Sequence, residues 1–146
     1  MRRLKRFAPS GSAGKRVLVV DASALLELLL RTPSAKEVED RLFAPGETLH
    51  APHLLDIEVA QVIRRYAANG DIDSERGRLA LSDLACLSIQ RYPHDLLLPR
   101  IWALRNNLTA YDAAYVALAE ALDQPLLTRD KRLAAAAGHF ARIEVV

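Results

Sequence analysis

Four acidic residues carry the chemistry this chain could perform: Asp21, Glu58, Asp112 and Asp130. Asp21 and Asp130 follow the apolar runs VLVV and PLLT, which read as strands, while Glu58 and Asp112 fall in the early turns of predicted helices. A carboxylate in such surroundings is costly unless something compensates it. Gathered together, the four would repel one another by about 1 kcal/mol per pair at 4 Å in water, and about 4 at an effective dielectric near 20. Without a counter-ion some would hold a proton at neutral pH. An all-oxygen donor set favours a hard cation, Mg2+ or Mn2+. Such an ion generates hydroxide, clamps a phosphate oxygen and steadies a leaving alkoxide, so phosphodiester hydrolysis is the chemistry that fits.

Each acid also has a structural reading. Asp21 ends a strand, where an open α/β sheet faces its ligand crevice, but Asp is also a favoured helix N-cap. Glu58 falls on the flank of the stripe Leu55, Val59, Val62, Ile63 and Tyr66, away from the face that carries Arg64 and Arg65. A flank Glu suits a surface salt bridge as well as a ligand. Thr109-Ala110-Tyr111-Asp112 has the form of a capping box, with Thr109 as cap. Asp130 could cap the helix that begins KRLAAAA, and Thr128, two residues earlier, could face the same crevice. The metal reading rests on the joint pattern.

The elements that must position these acids follow from periodicity and punctuation. Residues 1–15 read as a flexible basic leader and 16–146 as one domain. Strands are expected at 16–20, 48–51, 87–91, 125–128 and 142–145. Helices are expected at 23–30, 34–43, 52–69, 73–87, 95–105, 109–122 and 130–137. Ser34 is the expected cap of the second, with Glu37 at its capping-box position. Pro52 suits the first turn of the third and Gly70 its stop. Strands alternating with helices imply an α/β fold, a three-layer α/β/α sandwich around a central, mainly parallel sheet. Right-handed crossovers would put the functional crevice beyond the carboxyl ends of the strands.

A chain of 146 residues, 51% of them apolar, fits one domain with one core. Six of its 20 basic residues lie within residues 1–16, where there is no acid, so the remainder carries 14 basic against 18 acidic side chains. An acidic body with a basic tail is not the profile of a dedicated nucleic-acid clamp. The single cysteine, Cys86, excludes an intramolecular disulfide and a cysteine-based zinc site, and is expected as a small buried hydrophobe. Asp21 and Glu27 interrupt the apolar run VLVVDASALLELLL, which at about 14 residues is too short to span a bilayer. No membrane segment and a cytoplasmic location are expected.

In order and spacing, VVDASALLELLL, DIEVAQVIRR, LTAYDAAYVALAEAL and LLTRDKRLA resemble the four signature blocks of PIN-domain ribonucleases. The match covers roughly residues 17–145 and is close to the small VapC-type toxins of toxin–antitoxin pairs. The resemblance implies an endoribonuclease dependent on Mg2+, with Mn2+ as substitute, whose metal-binding quartet is Asp21, Glu58, Asp112 and Asp130. Ser23 matches a small polar position that assists the first Asp, and Thr128 a hydroxyl residue preceding the last. It further implies an RNA substrate, a homodimer and a cognate VapB-type antitoxin that masks the acidic site. The basic leader lies outside the family pattern.

Other residues weigh less. His50 and His53 form an H-x-x-H pair, but Pro52 between them argues against a shared metal, and His94 and His139 are isolated. Leu25, Leu26, Leu28, Leu29 and Leu30 crowd one helix, either buried or partly exposed for a partner. Arg64, Arg65, Arg76 and Arg78 could meet RNA phosphates or simply be solvated. A receiver domain would need paired acids and a well-placed late lysine, and Lys131 is placed poorly. A haloacid-dehalogenase phosphatase would need Asp where Ser23 stands. The main alternative is a non-catalytic PIN-like scaffold that binds RNA or a partner.

Overall fold

The computed structural model describes residues 14–146, so the expected leader, but for its last two residues, lies outside the described residues. Five strands are present: β1 (Arg16–Val20), β2 (Glu47–Pro52), β3 (Ile89–Tyr92), β4 (Leu126–Thr128) and β5 (Ile143–Val145). The helices are α1 (Ala22–Leu29), α2 (Ala35–Leu42), α3 (Leu54–Ala68), α4 (Ser74–Cys86), α5 (Leu98–Ala103), α6 (Ala110–Leu122) and α7 (Lys131–Ala135). The strands form one sheet in the order β3-β2-β1-β4-β5, and every pairing is parallel.

Strand β1 explains the architecture. Leu18, Val19 and Val20 are fully buried, because a parallel sheet is covered on both faces and its central strand needs no alternation. It pairs with β2 from Arg16↔Glu47 to Val19↔His50, and with β4 at Val19↔Leu126 and Val20↔Leu127. Chain order therefore reverses direction at β1, one neighbour following directly and the other arriving after β3. Crossovers of one hand then place helices α1–α4 on one face and α5–α6 on the other. In keeping with this, α1 packs on α2, α3 and α4, while α5 packs on α6 and α6 lies across β1, β2 and β4.

Helix α6 forms most of the second layer. Every residue from 113 to 120 is buried, including Glu120. That carboxylate is compensated by Arg100 at 2.6 Å and by the backbone N–H of Phe140 at 3.0 Å. On the other face, Gly77 of α4 lets this helix approach α3: a Cβ there would stand 3.1 Å from a methyl of Ile63. Gly70, at φ +80, ends α3 in the left-handed region that glycine tolerates.

Several expectations are corrected. Pro52 is the last residue of β2, and α3 starts at Leu54, whose N–H donates to Nε2 of His94 at 2.9 Å. Ser34 precedes α2 but makes no capping hydrogen bond, because its own backbone is already helical. Helix α5 is shorter than expected, since residues 94–97 form a turn closed on the His94 carbonyl. Cys86 is exposed, not buried: it lies two residues past Leu84, on the opposite side of α4 from the core stripe Ala80 and Leu84. His50 is buried, bonded to Thr48 and Tyr92 at 2.8 Å each, while His53 is exposed, so the two do not form a metal pair. In α1, Leu25 and Leu29 are buried, while Leu26, Leu28 and Leu30 are half-buried against the core.

Candidate active site

The crevice lies at the carboxyl ends of β1 and β4, where the chain order reverses, the position at which open α/β sheets bind ligands. Asp21 occupies the end of β1 and caps α1, its Oδ1 accepting the N–H of Ala24 at 3.1 Å and the hydroxyl of Ser23 at 2.7 Å. Its other oxygen, Oδ2, accepts the hydroxyl of Thr128 from the end of β4. Both hydroxyls are themselves held: Ser23 Oγ accepts the N–H of Arg129 at 2.9 Å, and Thr128 Oγ1 that of Asp130 at 3.0 Å. Two short relays thus tie the β4–α7 turn to one carboxylate. Cap and candidate ligand coexist in Asp21, since Oδ1 is filled by the two capping donors while Oδ2 keeps a further lone pair.

Burial pushes the Asp21 carboxyl above its ordinary range, and the nearby Asp112 charge adds to this against the three hydrogen bonds. Asp112 sits in the first turn of α6, where its N–H donates to the Thr109 cap at 3.2 Å. Partial burial and the charge of Asp130 raise its pKa too. Glu58, half-buried on α3, is raised by burial and by the charges of Asp112 and Asp21. Asp21, Glu58 and Asp112 therefore all sense one another, and Asp130 joins through Asp112.

Asp130 differs from the other three. It caps α7 through the N–H of Arg132 at 2.9 Å, and the Arg132 guanidinium lies 3.3 Å from the same oxygen. Burial alone would raise its pKa, but these bonds and the Arg132 charge hold it below the usual carboxylate value. It stands at the rim, the others deeper.

Whether these residues suit a metal ion is tested by their unmet valences. Oε1 of Glu58 and the hydroxyl of Tyr115 are both buried without a hydrogen-bond partner. The two groups interact, which lowers the Glu58 pKa and, with burial, drives that of Tyr115 far up, yet they fall short of hydrogen-bond geometry. A buried carboxylate oxygen whose neighbouring donor is the Tyr115 hydroxyl alone, within electrostatic reach of Asp21 and Asp112, is a donor that a cation would satisfy. Among the described residues no group of three or more His, Cys, Asp or Glu is already placed to hold a metal ion; the acids are linked by their mutual electrostatic influence. Hard oxygen donors of this kind fit Mg2+ or Mn2+.

Tyr115 is the residue that sequence reading missed. It lies one turn beyond Asp112, and the i, i+3 spacing on α6 would have placed both on the same face.

A parallel α/β domain with two acids at strand ends and two on neighbouring helices is an arrangement that would suit metal-assisted phosphodiester hydrolysis. The PIN domain matches residues 18–139. Ribonuclease VapC1 of Mycobacterium tuberculosis is 46% identical over 129 residues, covering 88% of this chain and 96% of that protein. PAE2754 from Pyrobaculum aerophilum, a solved structure, superposes with a TM-score of 0.67 at 25% identity, covering 93% of this chain and 88% of that one. VapC20 of Mycobacterium tuberculosis, described as a Sarcin-Ricin loop cleaving toxin, shares the fold at a TM-score of 0.64 and 14% identity, covering 84% and 96%. This chain belongs to the PIN-domain family, among the VapC ribonucleases.

Proposed function

We propose that the protein is an endoribonuclease acting as the toxin of a toxin–antitoxin pair, with a divalent cation held by Asp21, Glu58, Asp112 and Asp130. Family membership supports the activity, and PIN-domain ribonucleases generally depend on divalent metal ions. Mg2+ is the proposed ion and Mn2+ its substitute, from the hardness of the donors. The observation that carries the site is the buried, unpartnered oxygen of Glu58 beside Asp21 and Asp112.

When bound, the cation supplies a nucleophilic hydroxide and stabilises charge on the phosphate. The chain's own part is positional. Asp21 offers Oδ2, its carboxylate held in direction by Ser23, Ala24 and Thr128. Glu58 approaches from α3 and Asp112 from α6, so three elements fix the ion's place. Asp130 at the rim is the acid nearest to solvent.

The partners proposed are RNA, a cognate antitoxin covering the acidic site, and a second copy of the chain. Among the described residues no helix is long and apolar enough to cross a membrane, and a cytoplasmic location is proposed. Incubating the protein with total RNA, with and without EDTA, tests the activity. Cleavage that stops with EDTA and leaves 5′-phosphate and 3′-hydroxyl ends supports it. Cyclic phosphate ends would mean attack by the RNA's own 2′-hydroxyl, against this mechanism.

A further inference from the structure

An RNA strand is a polyanion, and the site that must cut it is lined by carboxylates, so some cation of the protein has to face the phosphates. Several arginines are tied to acids outside the quartet. Arg41 holds Glu47 and Glu144, Arg91 holds Asp56, Arg100 holds Glu120, and Arg129 holds Glu27 and the Val146 carbonyl. None of these partners belongs to the quartet, so nothing in the reaction asks for their release.

Arg132 is different. Its side chain is 93% exposed, on the first turn of α7, and its partner is Asp130. The contacts are long, 3.3 Å from Nε to Oδ1 and 3.4 Å from Nη2 to Oδ2. Its charge also reaches Asp112, across the crevice on α6. An exposed ion pair of this kind is worth little. The carboxylate it holds is one the metal site requires.

On the ribonuclease reading above, we propose that Arg132 is a substrate-binding residue that changes partners, guarding Asp130 in the metal-free protein and gripping an RNA phosphate once Asp130 turns to the ion. A guanidinium suits both roles, since its planar fork matches carboxylate and phosphate oxygens alike. The backbone N–H of Arg132 keeps capping through Asp130 Oδ1, so the turn need not move while the side chain does.

Two consequences are measurable on the whole protein with Arg132→Ala. Isothermal titration with Mn2+ in the absence of RNA should show tighter binding, by about two- to fivefold, because a competitor for Asp130 has gone. With a labelled single-stranded RNA and saturating Mg2+, KM should rise about tenfold with kcat little changed, and the salt dependence of log KM should flatten by about 0.7. Arg132→Lys should restore much of the KM by keeping the charge. Mn2+ affinity that is unchanged or weaker, or a KM and salt slope equal to wild type, would overturn the proposal. Failure of the wild-type protein to cut RNA would instead sink the ribonuclease reading, while the Mn2+ titration would still report whether Arg132 competes for Asp130.

Discussion

Thr128 donates its hydroxyl to Oδ2 of Asp21 and at the same time accepts the N–H of Asp130. One fully buried side chain therefore links two of the four acids. Asp21 is held from behind by Thr128 on β4, so the direction of the free lone pair on Oδ2 is set before any ion arrives.

Replacing Thr128 by Val removes that link without changing the side chain's shape. Asp21 Oδ2 loses its donor and the Asp130 N–H its acceptor, which should cost about 1–3 kcal/mol in urea unfolding. Mn2+ affinity should fall by about 10–100-fold. Thr128→Ser keeps the hydroxyl and should retain most of both. A Val variant with wild-type Mn2+ affinity would show that the hydroxyl does not orient Asp21.

Asp21→Asn and Asp112→Asn each remove one negative charge from the crevice. Either should lower RNA cleavage by more than about 100-fold, the upper end of what losing an outer partner of a metal ligand costs. Asp112→Asn should leave the metal-free protein as stable, because the charge removed is a repelled one, whereas Asp21→Asn also turns an NH2 toward one of its hydrogen-bond donors and should cost about 1–3 kcal/mol. Thermal melts in EDTA together with cleavage assays check this. A variant that keeps wild-type cleavage would remove its residue from the mechanism.

The raised pKa values of Asp21, Glu58 and Asp112 fix a pH dependence for the metal-free protein. In the folded state these groups hold protons that the unfolded chain releases at ordinary values of 3.8 to 4.5. Above that range the folded state binds more protons, so stability contributed by these groups falls as pH rises. Asp130, with a lowered pKa, acts oppositely, but it is one group against three. Mg2+ reverses the penalty by stabilising the ionised forms. The rise in melting temperature on adding Mg2+ should therefore be larger at pH 8 than at pH 5. An equal rise at both would contradict a cation bound by these carboxylates.

Arg100→Ala tests the frame apart from the chemistry. It leaves the buried Glu120 with only the Phe140 N–H. Losing one partner of a buried pair should cost about 3 kcal/mol in chemical denaturation. Residual cleavage by the folded fraction should stay near wild type. A loss below about 1 kcal/mol would show that solvent reaches Glu120.

The layer order was legible because the signal is physical and local. An uninterrupted apolar strand such as VLVV means cover on both faces, and the alanine-rich run after Asp112 means a helix buried on all sides. Asp21, Thr128 and Asp130 could be placed near the crevice from their positions at strand ends, while the flank position of Glu58 suited a surface salt bridge as well as a ligand. What could not be read is how they join. Arg129 N–H reaches Ser23 across 106 residues, and no periodicity encodes such a contact. The same holds for His94, which accepts from the start of α3, forty residues away. Cys86 misled because composition says cysteine is buried, while the helix phase, set by Ala80 and Leu84, turns it outward.

Anomalous diffraction from crystals soaked in Mn2+ tests the central claim most directly. The account predicts density for the ion in the crevice beyond β1 and β4, with oxygens of Asp21, Glu58 and Asp112 turned onto it and Asp130 drawn in from the rim. Density only at surface sites, with the Glu58 oxygen still unpartnered, would contradict it.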